Sequence, residues 1–538
     1  MHLEPKLIKL YDKKLIHGCH VYRVIRGIFF LSISIHLLMN MGCSHQDFRD
    51  QFSDLDLSKD LCEGVPEYQG PKLSEQIRPV AKKMETYTGI KILEEGTQAI
   101  ASRAWLSLSA EKTIDVQYFI FSLDNIGLIA LDYLMRAADR GVKIRVLVDD
   151  IMVEADEAFI LEIANHPNID IKVYNPNINL GKNIAQKLSA TLTNFRGINQ
   201  RMHNKTFIVD GVAVITGGRN VADEYFDYSR KFNFRDRDVL MLGGAASEVQ
   251  KSFDLYWSHP LAVDAEKLVK KAIKTRPELT KKLLQQYACN PANYWPKVRS
   301  NVLSYAKKAV NRVKDELRWI KDVTFSYDNP KKNERKRGLS GSGVSTEALK
   351  ALINQAKKSI DIQSPYLIVT KKGEKLFANA VKRGVRVRIL TNSLASTDGI
   401  EAFNGYQRSR SELLKLGVEI YEYRPDAAIR FKIMTSDLQK TINHKPIFGL
   451  HAKSMVVDGI ITVVGTFNLD PRSANLNTEC FVEIHSREIS EELLAVMEQE
   501  YQPENSWRVT KDFNPDSEAG WFKRFQAWSR WFIPKSVL

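Results

Sequence analysis

One short pattern occurs twice in this chain of 538 residues, with identical internal spacing. The first copy is His203-Asn204-Lys205, followed by Asp210, Gly217 and Asn220; the second is His451-Ala452-Lys453, followed by Asp458, Gly465 and Asn468. A lone His-x-Lys arises by chance in long proteins, but a multi-position match in fixed register does not. The duplication extends upstream. Thr113-Ile114-Asp115-Val116-Gln117 has its counterpart in Ser359-Ile360-Asp361-Ile362-Gln363, and the run from Arg140 to Leu147 has its counterpart from Arg383 to Leu390. The period is roughly 250 residues, far beyond the few tens of residues of a solenoid repeat, so the chain is a domain duplication.

Alternating β-branched and polar residues in these segments predict strands, and Gly141 and Gly384, each after an arginine, predict helix C-caps before the next strand. Strand, helix, strand, and later a strand carrying the His motif, argue for α/β lobes, two in one chain. Alternation places His203 and Lys205 on one face, and likewise His451 and Lys453. Asp210-Gly211 and Asp458-Gly459 are hairpin signals, with Asn220 and Asn468 at the ends of the returning strands. Each Asp can serve the turn alone or take part in the chemistry. Two histidines brought together suit a two-step displacement at phosphorus, one as nucleophile and one as acid.

These residues resemble the HxKxxxxD signature of the phospholipase D superfamily, matched by His203, Lys205 and Asp210 and again by His451, Lys453 and Asp458. The downstream GxxN also matches. The run Leu469-Asp470-Pro471-Arg472-Ser473 with Leu476-Asn477-Thr478-Glu479 is similar to bacterial cardiolipin synthases of the C branch. The resemblance covers roughly residues 90 to 500. It implies an α/β fold of two pseudo-twofold-related lobes, each a mixed β-sheet flanked by helices, sharing one active site. It also implies His203 as nucleophile and His451 as general acid and base, with Lys205, Lys453, Asn220 and Asn468 around the phosphoryl oxygens. Finally, it implies a carboxylate downstream of each motif to orient its histidine. The matching residues are Asp236, with Asp238 as a near alternative, and Glu479. No metal or cofactor is expected, since the lysines supply the electrostatic stabilisation.

The net charge of +14 favours anionic partners, phospholipid surfaces or nucleic acid. The five cysteines fit no zinc spacing, and no disulfide framework is expected. Near the amino terminus Lys6, Lys9, Lys13, Lys14, Arg23 and Arg26 precede an apolar run from Ile28 to Met39, a signal-type pattern. Gly42-Cys43-Ser44 then resembles a bacterial lipoprotein cleavage site, with lipidation at Cys43. An uncleaved anchor is the alternative. Either places the catalytic body outside the cytoplasm, on a bacterial membrane. Residues 261–343 form a Lys-rich helical insert, to be either a solvated connector or a membrane contact. At the carboxy terminus Trp521, Phe525, Trp528 and Phe532 recur at helical spacing beside Lys523, Arg524 and Arg530, the composition of an interfacial helix.

The expected organisation is a signal, lipoprotein or anchor segment (1–43), a linker (44–90), a first lobe (91–260), the insert (261–343), a second lobe (344–505) and an aromatic-basic tail (506–538). The expected activity is phosphatidyl transfer from phospholipid substrates at an anionic membrane, giving cardiolipin from phosphatidylglycerol and a second phospholipid. Hydrolytic phospholipase D action is the alternative. Nuclease activity would suit the charge but not the amino-terminal apolar run or the aromatic tail, so no nucleic-acid partner is expected. A catalytically dead lipid-binding scaffold conflicts with two intact motifs.

Overall fold

The computed structural model describes residues 52, 55–56, 58–150, 157–176, 197, 199–269, 275–294, 296–332, 341–442, 444–531, 533–535 and 538. The amino-terminal segment with Cys43, and Phe532, lie outside the described residues.

The first lobe contributes β1 (Thr88–Leu93), β2 (Thr113–Tyr118), β3 (Lys143–Asp149), β4 (Ile169–Tyr174), β5 (Thr206–Val209), β6 (Ala213–Gly217), β7 (Phe232–Arg235), β8 (Asp238–Gly243), β9 (Ala262–Asp264) and β10 (Arg318–Ile320). The second contributes β11 (Val323–Tyr327), β12 (Ser359–Gln363), β13 (Arg386–Asn392), β14 (Glu419–Tyr423), β15 (Ile447–Leu450), β16 (Ser454–Val457), β17 (Ile461–Gly465), β18 (Cys480–His485) and β19 (Ser506–Val509). One nine-stranded sheet runs β10-β1-β8-β6-β5-β2-β3-β4-β9 and one eight-stranded sheet β11-β18-β17-β16-β12-β13-β14-β19. In each, three consecutive strands are parallel (β2-β3-β4 and β12-β13-β14) and the rest antiparallel. The repeated sequence therefore builds two mixed sheets of matching strand order. This is the α/β, two-lobed fold the sequence predicts.

The local signals act as expected. Gly141 and Gly384 sit at φ 94° and 83°, the left-handed region that glycine occupies without a Cβ penalty, and end their helices before β3 and β13. Both residues of each Asp-Gly pair have positive φ, as a two-residue hairpin turn requires. Helices Gly96–Ser109 and Asn125–Asp139 cover the first sheet through a core that includes Ala104, Trp105, Leu128 and Leu134. Helices Val344–Gln355, Lys371–Lys382 and Ile400–Lys415 cover the second. The inner faces of the two sheets meet directly. Ile208, Val214, Val239 and Met241 of the first pack with Val464, Val482 and Ile484 of the second. Apolar burial at this seam, worth about 25 cal/mol per Å², locks the lobes into one body.

Two expectations are revised. The stretch 261–343 does not form a solvated connector where it is described. Helices Pro277–Cys289 and Pro296–Lys307 bury Leu283, Leu284, Val302 and Ala306 in the first lobe's core, and β10 and β11 join one sheet each. Cys62 and Cys289, in a chain for which no disulfide framework was expected, form a disulfide across 227 residues of sequence. It fastens the segment before the first lobe to helix Pro277–Cys289. Cysteine spacing could not reveal a pair so far apart. Closing so long a loop restricts the unfolded chain, so replacing both cysteines by serine is expected to cost about 2–4 kcal/mol. A lowered thermal midpoint under non-reducing conditions, converging with wild type in reductant, checks this.

Candidate active site

Each histidine enters the site on a segment that pairs with the opposite lobe. β15, just before His451, pairs in parallel with β7 of the first lobe, and the His451 and Ala452 amides both donate to the Arg235 carbonyl. The pseudo-equivalent contact is a bridge of Met202 to Thr478, with the His203 amide donating to the Thr478 carbonyl at 3.0 Å. The pairing brings each carboxylate to the other lobe's histidine. His203 Nδ1 donates to Glu479 Oε2 at 2.8 Å, and His451 Nδ1 to Asp236 Oδ2 at 2.5 Å. Asp236 and Glu479 are thus both histidine partners, but crossed between the lobes. Asp238, the alternative to Asp236, instead pairs with Arg103 at 2.9 Å beneath the site.

Both carboxylates are fixed. Glu479 accepts from Thr466 Oγ1 at 2.5 Å and Ser473 Oγ at 2.7 Å. Asp236 accepts from the Arg237 amide at 2.7 Å. Gly218 stands against Asp236, where a Cβ would lie 2.0 Å from Oδ1, so no side chain fits there. At the same offset in the second copy is Thr466, whose hydroxyl serves Glu479. Lys205 and Lys453 donate to the main-chain carbonyls of their own histidines, and Lys453 Nζ also lies 2.8 Å from His451 Nδ1. Phe119 meets the His203 ring edge-on at 5.1 Å; Tyr225 and Phe234 enclose His451 at 5.1 and 4.7 Å. No motif marks these three aromatics, whose relation to the histidines is set by folding.

The asparagines differ. Asn220 is occupied by the protein, accepting from the Ile120 amide and donating to the Tyr225 hydroxyl. Asn468 keeps a buried Oδ1 without a partner. Asp210 and Asp458, expected among the catalytic residues, lie elsewhere. β5 separates Asp210 from the His-Lys segment by about 13 Å of strand. Its carboxylate accepts from the amides of Glu111, Lys112 and Thr113 at 2.7–3.0 Å, and Asp458 does the same for Lys357, Lys358 and Ser359. They close the turn onto the neighbouring strand.

Burial disfavours the protonated forms of the histidines and lysines in the site. Burial lowers His203 to about 4, and Lys205 and Lys453 close by add to the effect against the pull of Glu479. Burial and repulsion from Lys453 lower Lys205 to about 7, and burial lowers Lys453 to about 8. His451 is lowered by burial and Lys453. Burial pushes Asp236 and Glu479 upward, but the adjoining histidines and lysines outweigh it and hold both carboxylates ionised. An ionised carboxylate on Nδ1 fixes a proton there, so that Nε2 carries a lone pair in the neutral ring and an N–H in the imidazolium. Two imidazoles, two lysines and two ionised carboxylates are thus gathered in one buried cluster. Among the described residues, no three histidine, cysteine, aspartate or glutamate side chains are grouped as metal ligands.

The two matching α/β lobes, each lending a carboxylate to the other's histidine, thus form one paired site. The family model described as "Cardiolipin synthase, PLD-like domain" matches twice, over residues 108–257 and 349–501, and the chain belongs to that family. It is 31% identical to cardiolipin synthase C of Escherichia coli K12 over 441 residues, 78% of this chain and 86% of that protein. It is 34% identical over 404 residues to an uncharacterized protein of Helicobacter pylori 26695, covering 74% and 77% of the two chains. A phosphatidylserine synthase of Haemophilus influenzae Rd KW20 superposes with a TM-score of 0.54 at 14% identity, covering 84% of this chain and 96% of that one, a likeness of fold. The protein is therefore a phospholipase D-superfamily enzyme that modifies phospholipids.

Proposed function

We propose that the chain transfers a phosphatidyl group through a phosphohistidine, making cardiolipin from phosphatidylglycerol and a second phospholipid. The carrying observation is the pair of buried imidazoles, each held by an ionised carboxylate at Nδ1 with two lysines alongside. In the first step His203 Nε2 forms a bond to phosphorus. The bond from phosphorus to the departing alcohol oxygen breaks, and the proton on His451 Nε2 passes to that oxygen. In the second step the acceptor alcohol gives its proton back to His451 and attacks phosphorus, and the phosphorus–nitrogen bond breaks. Lys205, Lys453 and Asn468 balance charge on the phosphoryl oxygens through both steps. Asn220 acts through Tyr225, which shapes the His451 pocket. The similarity to cardiolipin synthase C supports an alcohol acceptor, as does a site whose imidazoles and lysines are all buried.

The disulfide supports an oxidising compartment outside the cytoplasm, in keeping with the signal-type segment and lipidation at Cys43. No described helix is long and apolar enough to cross a membrane. The partner in this scheme is an anionic phospholipid membrane.

Product analysis tests the assignment. On vesicles of phosphatidylglycerol with phosphatidylethanolamine, cardiolipin that depends on His203 supports transfer. Phosphatidic acid alone would assign hydrolysis, and no lipid product from folded protein would overturn both.

The pH profile is a further expectation. The nucleophile works only above its own pKa, so kcat/KM on a soluble phosphodiester should rise through about pH 4, where His203 loses its proton. The general acid and the lysines work only below theirs. The rate should therefore fall past the lowered pKa of His451, and again past about 7 and 8 as Lys205 and Lys453 deprotonate. Because a bound anion raises all three, the falling limb of kcat should lie at higher pH than that of kcat/KM. A kcat/KM that climbs steadily to pH 9 would contradict the cationic roles.

A further inference from the structure

The carboxy-terminal helix Trp521–Ser529 is built the wrong way round for a helix of a soluble body. Trp521, Phe525 and Trp528 recur at i, i+4 and i+7 and form one stripe, which faces outward: Trp521 is 73% exposed, Phe525 54% and Trp528 66%. Phe522 and Trp531 extend the patch. Among the described residues these five are the only exposed aromatics after Phe513, and no tryptophan elsewhere among them is so exposed. The opposite stripe, Lys523, Ala527 and Arg530, faces the protein. Lys523 donates to the carbonyls of Ala395 and Thr397, Arg530 pairs with Glu401 at 2.8 Å, and Asn404 donates to the Ala527 carbonyl. The aromatic face is thus held outward by polar bonds behind it. Arg408 reinforces this by donating to the carbonyls of Trp531 and Ile533. The basic residues expected to meet the membrane beside the aromatics, Lys523 and Arg530, serve instead as anchors, which leaves Arg524 exposed on the outer side.

The anchors reach the site. The loop gripped by Lys523 packs against the strand that delivers His451: the Ser396 carbonyl lies so close to Gly449 that a Cβ there would sit 2.6 Å away. Just before that loop, Asn392 exchanges two hydrogen bonds with Leu450, at 2.7 and 2.8 Å. Asp398, at its end, accepts from the Tyr366 hydroxyl at 3.0 Å.

We propose that this aromatic face is the surface by which the folded body docks on an anionic phospholipid bilayer, seating the His451 side of the site at the lipid interface. Tryptophan rings prefer the headgroup boundary, where the ring is apolar and its N–H stays wet. Five exposed aromatics grouped on one surface mark an interaction site, and the net charge of +14 with exposed Arg524 complements anionic lipid rather than another copy of the same basic chain. The proposal deepens the phosphatidyl-transfer assignment and rests on it for the reason the site should lie at a lipid surface.

The test uses the full chain with vesicles of phosphatidylglycerol and phosphatidylethanolamine whose acyl chains carry bromine, a short-range quencher of tryptophan emission. Wild type should be quenched, and the triple variant Trp521→Ser, Trp528→Ser, Trp531→Ser should lose that quenching several-fold with an unchanged thermal midpoint. Phosphatidylcholine vesicles should quench wild type less. Absence of quenching in protein that floats with the vesicles would overturn the proposal, since the amino-terminal segment would then hold the protein alone. Equal quenching of wild type and variant would overturn it for this helix. Shielding from aqueous acrylamide without bromine quenching would assign the face to a second copy and overturn it too. Quenching does not require turnover, so His203→Ala should retain it. Failure of the docking surface is thereby distinguished from failure of the reaction assigned above.

Discussion

His203→Ala is expected to abolish turnover, with a loss on the order of 10⁴-fold or more, the scale seen when a covalent nucleophile is removed, and to leave no acid-labile phosphoenzyme. His451→Ala should behave differently. The lost proton matters most when the departing alcohol is a poor leaving group, so the loss should be about 10²–10⁴-fold on phospholipid and much smaller on a nitrophenyl phosphodiester. With that activated substrate the variant should accumulate phosphoenzyme, because the acceptor step also lacks its base. Rapid-quench labelling with a ³²P substrate checks both. Label retained in His203→Ala and lost in His451→Ala would reverse the two roles, which the near-symmetry of the motifs alone does not distinguish.

Crossed carboxylates lead to the second large effect. Glu479→Gln lies in the second lobe but should resemble His203→Ala, because it removes the ionised partner that fixes the His203 tautomer. Asp236→Asn lies in the first lobe but should resemble His451→Ala: severe on phospholipid, mild on the nitrophenyl ester. Each loss should be about 10²–10⁴-fold, by analogy with the loss of a carboxylate that orients a catalytic histidine. If each carboxylate variant matched instead the histidine of its own lobe, the exchange between lobes would have no functional weight. Double variants sharpen the comparison. Residues that act as one unit lose activity non-additively, so Glu479→Gln should add little to His203→Ala and much to His451→Ala.

A large part of this protein is written locally. The repeated His-x-Lys, the glycine caps and the Asp-Gly turns depend on short-range geometry, so spacing alone revealed two α/β lobes and the four residues at their centre. Asp236 and Glu479, 33 and 28 residues after their motif histidines, were candidates only through the family resemblance, which implies a carboxylate downstream of each motif. Their partners were not legible. Which histidine a carboxylate meets depends on β15 lying beside β7, and on residue 202 bridging residue 478, contacts between segments that share no local signal. Asp210 and Asp458 show the converse: a motif position retained beside the active histidine in sequence, yet spent on the amides that start β2 and β12. The disulfide, the packing of residues 277–307 into the first lobe and the aromatic enclosure of the histidines are likewise long-range. At the carboxy terminus, periodicity alone showed one aromatic stripe on a helix. Only the bonds of Lys523 and Arg530 to the body decided that this stripe faces outward. The sequence by itself determined the two repeated units and their reactive residues, because these follow from covalent neighbours and strand periodicity. The tertiary structure decided which lobe completes which, because that follows from the burial of one sheet face against the other.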